Sequence, residues 1–185
     1  MRLIDSATLE CDEFFGDNIP EYAILSHRWE LEEVILPDIR SGTAEKWAGY
    51  RKIRCCAAQA QKNGLRFIWI DTCCIDKTSS AELTEAINSM FRWYQEASVC
   101  YAYLTDVQGV VEPNPEFPWS KWFTRGWTLQ ELIAPRHVTF FNSDWVEIGT
   151  KLQLADVISE VTAIPVEVLN YSKRPDEYSV PGRMA

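Results

Sequence analysis

The chain has 185 residues, 46% hydrophobic and 24% charged, the balance of a globular domain with its own core and not of a disordered segment. The 27 acidic against 18 basic side chains leave a formal charge of −9. That argues against nucleic acid and anionic membrane surfaces as partners, while leaving room for a nucleotide in a locally basic pocket. No run approaches the roughly 18 apolar residues of a membrane span, and the N-terminus lacks a signal-peptide pattern, so the expected compartment is the cytoplasm.

The first predicted strand is Tyr22 to Ser26, short, continuous and apolar, as a strand buried on both faces should be. It runs into His27, Arg28 and Trp29. An acidic loop follows from Glu30 to about Glu45. A helix is expected from about Ala44 to Lys62, with Tyr50, Ile53, Ala57 and Ala60 at helical spacing and Asn63-Gly64 as its stop. Phe67 to Ile70 reads as a second buried strand, and Asp71 to Asp76 continue it into a loop.

Ser79-x-x-Glu82 has the form of a capping box. The helix it opens repeats Leu83, Ala86, Ile87, Met90, Phe91, Tyr94 and Ala97 on one face. Val99 to Leu104 is a third strand, rich in aromatic and β-branched residues. A loop spans Thr105 to Pro118, and Trp119 to Ile133 turns helical in its second half. Val138 to Phe141 is a fourth strand, and Lys151 to Glu160 a further helix. Residues 1–170 read as one domain. Residues 171–185 read as a polar, Pro-bearing segment, expected to be the start of a region truncated here.

This alternation predicts an α/β fold, a doubly wound parallel sheet with helices on both faces. Ligands of such sheets sit outside the carboxyl ends of the strands. Those ends carry His27-Arg28-Trp29, Asp71 to Asp76, and Thr105-Asp106. The six cysteines include two adjacent pairs, Cys55-Cys56 and Cys73-Cys74, and no C-x-x-C spacing. With two histidines available, they give a zinc site only weak support. They read as small apolar core side chains of a reducing compartment. Phosphate-binding glycine loops are absent, so neither a dehydrogenase-type nucleotide site nor an NTPase is indicated.

Four stretches resemble the fungal heterokaryon-incompatibility (HET) domain. They are Tyr-Ala-Ile-Leu-Ser-His-Arg-Trp (22–29), Trp-Ile-Asp-Thr-Cys-Cys-Ile-Asp (69–76), Glu-Ala-Ile-Asn-Ser-Met-Phe-Arg-Trp-Tyr (85–94) and Arg-Gly-Trp-Thr-Leu-Gln-Glu-Leu (125–132). They stand in the family's order. HET domains are in turn similar to TIR domains, which implies a TIR-like, flavodoxin-like sheet. TIR domains place a Trp-Cys-x-x-Glu segment after the third strand, which Trp127 to Glu131 matches with Thr128 in place of cysteine.

The resemblance implies that Glu131 is the catalytic carboxylate of an NAD(P) glycohydrolase. Arg28, Trp29, His27, Asp71, Asp76 and Trp127 become its substrate-binding candidates. No metal or resident cofactor is required, and NAD or NADP is the substrate. The family further implies a cell-death effector of heterokaryon incompatibility, activated by self-association. In the full-length protein it would be joined to sensor and nucleotide-binding oligomerisation domains. The alternative is a non-enzymatic TIR-like oligomerisation module. Each residue also has a structural reading: Glu131 as an ion-pair partner of Arg125, Arg28 and His27 as partners of Asp71 or Asp76, Asp71 as an orienter of Arg28 or a loop cap, and Trp127 as core.

Overall fold

Seven strands form a single sheet in the computed structural model, which describes residues 1–16, 18–109 and 114–173. They are β1 (Arg2–Asp5), β2 (Cys11–Glu13), β3 (Tyr22–His27), β4 (Phe67–Trp69), β5 (Val99–Tyr103), β6 (Val138–Phe141) and β7 (Glu147–Thr150). Their order is β2-β1-β4-β3-β5-β6-β7. The four expected strands make the parallel centre, β4-β3-β5-β6. The sheet as a whole is mixed, because β1, β2 and β7 add antiparallel edges. In β1 only Leu3 and Ile4 reach the core, and β2 is an exposed Cys-Asp-Glu, so neither shows a readable period.

The helices are α1 (Leu36–Ser41), α2 (Tyr50–Lys62), α3 (Asp71–Cys74), α4 (Ser80–Glu96), α5 (Thr128–Ile133), α6 (Ala155–Thr162) and α7 (Val166–Leu169). The predicted acidic loop therefore holds a helix, α1. Its start has Pro37, and its end is Gly42 at φ 68°, the left-handed stop that glycine adopts without strain. The segment after β4 is likewise one helical turn, α3, and not a plain loop. At α4, Ser79 Oγ accepts the N–H of Glu82 as the capping pattern requires. The Glu82 carboxylate does not close the box. It takes the Arg2 guanidinium and the Asp76 N–H instead, tying β1 to the start of α4.

Strand alternation sorts the core into two layers. Tyr22 and Trp69 face α4: the Tyr22 hydroxyl donates to Trp93 O at 2.6 Å, and Trp69 packs against Trp93 and Tyr94 at 5.6 and 6.1 Å. Tyr101 faces the other way, where its hydroxyl accepts from Asn63 at the end of α2. Trp122 lies edge-on to Phe140 at 5.7 Å and is fully buried. All six cysteines are free, and Cys56, Cys73, Cys74 and Cys100 are buried. Burial pushes the Cys74 and Cys100 thiols up, so they are poor nucleophiles. No helix among the described residues is long and apolar enough to cross a membrane.

One buried cation anchors the far end of α5. Lys151, 1% exposed, donates to Leu132 O at 3.0 Å, Pro135 O at 2.6 Å and the Tyr171 hydroxyl at 2.8 Å. Burial pulls its pKa down to about 8, still leaving it mainly protonated at neutral pH. Tyr171 thus docks on the domain, while 174–185 lie outside the described residues. Lys151→Met keeps the apolar stem but orphans the Leu132 carbonyl, while Pro135 O retains the Tyr171 hydroxyl, and is expected to cost about 1–3 kcal/mol in urea unfolding.

Candidate functional site

A cleft of about 470 Å³ opens at the carboxyl edge of the parallel strands. Among those strands the chain steps from β3 outward to β4, then returns to the other side of β3 with β5. That reversal is the place where doubly wound sheets leave a crevice. One wall carries Arg28, Trp29, Asp71 and Lys77 from the segments after β3 and β4. Leu83, Ile87 and Met90 of α4 make an apolar wall. Arg125, Trp127 and Glu131 close the third side.

Glu131 sits at the floor, 3% exposed. Ser26 Oγ donates to its Oε2 at 2.5 Å, and the Trp122 indole N–H donates to Ser26 Oγ at 2.8 Å. Arg125 spans both carboxylate oxygens at 3.0 and 3.3 Å. Ser26 reaches this network because it shares a strand face with Tyr22 and Ile24, the face toward α4 and α5. Burial raises the Glu131 pKa, against the pull of Arg125 and Ser26. Thr128, in the position of the expected cysteine, donates its hydroxyl to Trp122 O at 2.6 Å and so fixes the first turn of α5.

The cleft brings together Arg28, Trp29, Asp71, Trp127 and Glu131. Trp29 and Trp127 are 54% and 45% exposed, and one face of the Trp29 ring is covered by the Lys77 ammonium. Asp71 Oδ2 accepts the Trp29 indole N–H at 2.7 Å. His27 does not line the cleft. One residue beyond Ser26, it points to the opposite face, toward Lys52 of α2. Its ring nitrogens lie 3.7 Å from Glu33 Oε2 and 3.9 Å from Asp71 Oδ1. Asp76 stands outside the cleft as well, its carboxylate accepting the N–H and hydroxyl of Thr78 in a local turn.

Glu33 joins His27 and Lys52 in a buried polar cluster beneath the Arg28 backbone. Burial alone would raise its pKa, but His27 and Lys52 overcome that and bring it down to about 2. A folded value below the unfolded 4.5 means stability present above pH 4.5 and lost as pH falls toward 2. Glu33→Gln is expected to flatten that part of the urea-midpoint curve relative to wild type.

Ser26, Trp122 and Lys77 were not picked out by sequence reasoning. Ser26 had a signal, as the single polar residue on its side of an apolar strand. Trp122 and Lys77 had none, because their roles depend on contacts made across the fold. Among the described residues no cluster of three His, Cys, Asp or Glu side chains suits a metal ion.

The fold and the cleft define an α/β domain with a buried glutamate at the switch point of its sheet, bordered by Arg28 and Lys77, which make no ion pair among the described residues. The heterokaryon incompatibility protein (HET) family matches over residues 22–119. The vegetative incompatibility protein HET-E-1 of Podospora anserina is 52% identical over 176 residues, 90% of this chain and 13% of that protein. The chain belongs to the HET family. It spans only a small part of the length of that relative. No solved structure matches it.

Proposed function

We propose that this domain is a cell-death effector of fungal vegetative incompatibility that cleaves the nicotinamide–ribose bond of NAD or NADP when self-associated. The observation that carries the reading is Glu131, a buried carboxylate held from two sides at the floor of a cleft with aromatic and cationic walls. The parallel-strand order supports the TIR-like reading.

In this chemistry the C1′–N1 bond breaks and its electron pair moves onto the pyridinium nitrogen. Nicotinamide leaves neutral, so no general acid is needed. The sugar becomes oxocarbenium-like, and the Glu131 carboxylate stabilises that positive charge and holds ribose hydroxyls. Water adds at C1′ and loses one proton, giving ADP-ribose. Arg125 must shift from at least one Glu131 oxygen as the ribose arrives. Arg28 suits the diphosphate, and Trp29 or Trp127 a flat ring. His27 and Asp71 hold the loop after β3 from beneath. The domain acts in the cytoplasm, without a resident cofactor, with sensor and oligomerisation domains of a longer protein supplying activation.

A second reading, a non-enzymatic assembly module, is favoured by the exposed apolar side chains of α4, with Ile87 45% and Phe91 47% exposed. Expression in fungal cells separates the two. Death with falling NAD in wild type, and neither with Glu131→Gln, supports the enzyme. Death without NAD loss in both proteins supports the module.

A further inference from the structure

Three cations border the cleft: Arg28, Lys77 and Arg125. Arg125 is paired with Glu131. The Arg28 side chain has no hydrogen bond or ion pair among the described residues, and neither does the Lys77 ammonium. Lys77 instead lies with Nζ 3.4 Å above the centre of the Trp29 ring. It is half-buried, and burial lowers its pKa, with Asp71 pulling the other way. On a chain of charge −9, two cations in one cleft that no carboxylate meets in a direct ion pair among the described residues, Lys77 feeling Asp71 only at longer range, point to an anionic ligand.

The contact with Trp29 is the weaker of the two available to Lys77. A charge-assisted hydrogen bond to phosphate outweighs a cation resting on a partly exposed ring. A phosphate within reach therefore draws the ammonium off the ring. Trp29 stays in place when that happens, because Asp71 holds its indole N–H. The ring face that Lys77 covered is then free to stack a base.

We propose that Lys77 is a second phosphate anchor of this cleft, beside Arg28, and that its transfer from Trp29 to a diphosphate uncovers that ring for a nucleotide base. The proposal rests on the nucleotide reading of the site and assigns it a diphosphate-bearing ligand. It makes base stacking conditional on phosphate binding, so a nucleoside without phosphate finds the platform occupied.

The test is titration calorimetry of the whole chain with ADP-ribose, and with adenosine as the phosphate-free probe. Lys77→Ala is expected to weaken ADP-ribose about tenfold while leaving adenosine equal or tighter. Lys77→Arg should keep ADP-ribose within about threefold, since the charge and reach survive. A Lys77 that only props Trp29 predicts something else, equal losses for both probes in Lys77→Ala. That result overturns the proposal, as does unchanged ADP-ribose affinity in Lys77→Ala or no ADP-ribose binding by wild type. The cleavage reading fails separately. Lys77-dependent ADP-ribose binding without NAD turnover keeps the anchor and removes the enzyme, whereas NAD turnover with an unaltered KM in Lys77→Ala does the reverse.

Discussion

Glu131→Gln is expected to lower nicotinamide release from NAD by at least about 10²–10³-fold, the loss seen when one preorganised electrostatic contact to a transition state is removed. The substitution keeps the shape of the side chain and removes the charge. Ser26 Oγ still has an oxygen to donate to, so the chain from Trp122 through Ser26 persists. Arg125 loses its ion pair, but the buried charge that cost desolvation goes with it. Urea unfolding should therefore shift by no more than about 1–2 kcal/mol. Glu131→Ala is the less informative variant, because it also opens a void beneath the cleft. In wild type, burial raises the Glu131 pKa above the free value of 4.5, and the reaction needs the ionised form. The acid limb of kcat/KM should accordingly lie above that of a free glutamate and disappear with the carboxylate.

Trp122→Ala should cost about 3–5 kcal/mol in urea unfolding. The ring is fully buried and packs edge-on against Phe123 and Phe140 at 5.1 and 5.7 Å. Against a total of about 5–15 kcal/mol, this takes the domain close to unfolding. Trp122→Phe separates packing from hydrogen bonding. It restores most of the apolar volume and leaves Ser26 Oγ without the indole donor, at about 1–2 kcal/mol. A Trp122→Ala cost below about 1 kcal/mol would contradict the placement of this ring between sheet and site.

Much of the centre of the fold was legible because its strands are buried on both faces. Tyr22 to His27, Phe67 to Trp69, Val99 to Tyr103 and Val138 to Phe141 are apolar runs between helices, and such runs announce themselves without alternation. The edges were not legible. β7 is Glu-Ile-Gly-Thr and β2 Cys-Asp-Glu, and what makes each a strand is the neighbour it pairs with. In the helix from Ser80, spacing grouped the buried Ala86, Tyr94 and Ala97 with Leu83, Ile87 and Phe91, which are exposed, left out the buried Trp93, and could not say that Leu83, Ile87 and Met90 would border a cleft. The site divides in the same way. Strand-end residues were pointed to by topology, and the period of two could have separated Ser26 from His27. The Trp29–Lys77 stack and the Trp122–Ser26–Glu131 chain join residues far apart in sequence, and nothing local encodes them.

Proton NMR of NAD incubated with the purified domain, clustered on beads or vesicles, tests the central claim most directly. Nicotinamide and ADP-ribose growing in equal amounts with wild type, and absent with Glu131→Gln, is the predicted result. Intact NAD and NADP over wild-type protein that is folded, clustered and able to bind ADP-ribose would contradict it.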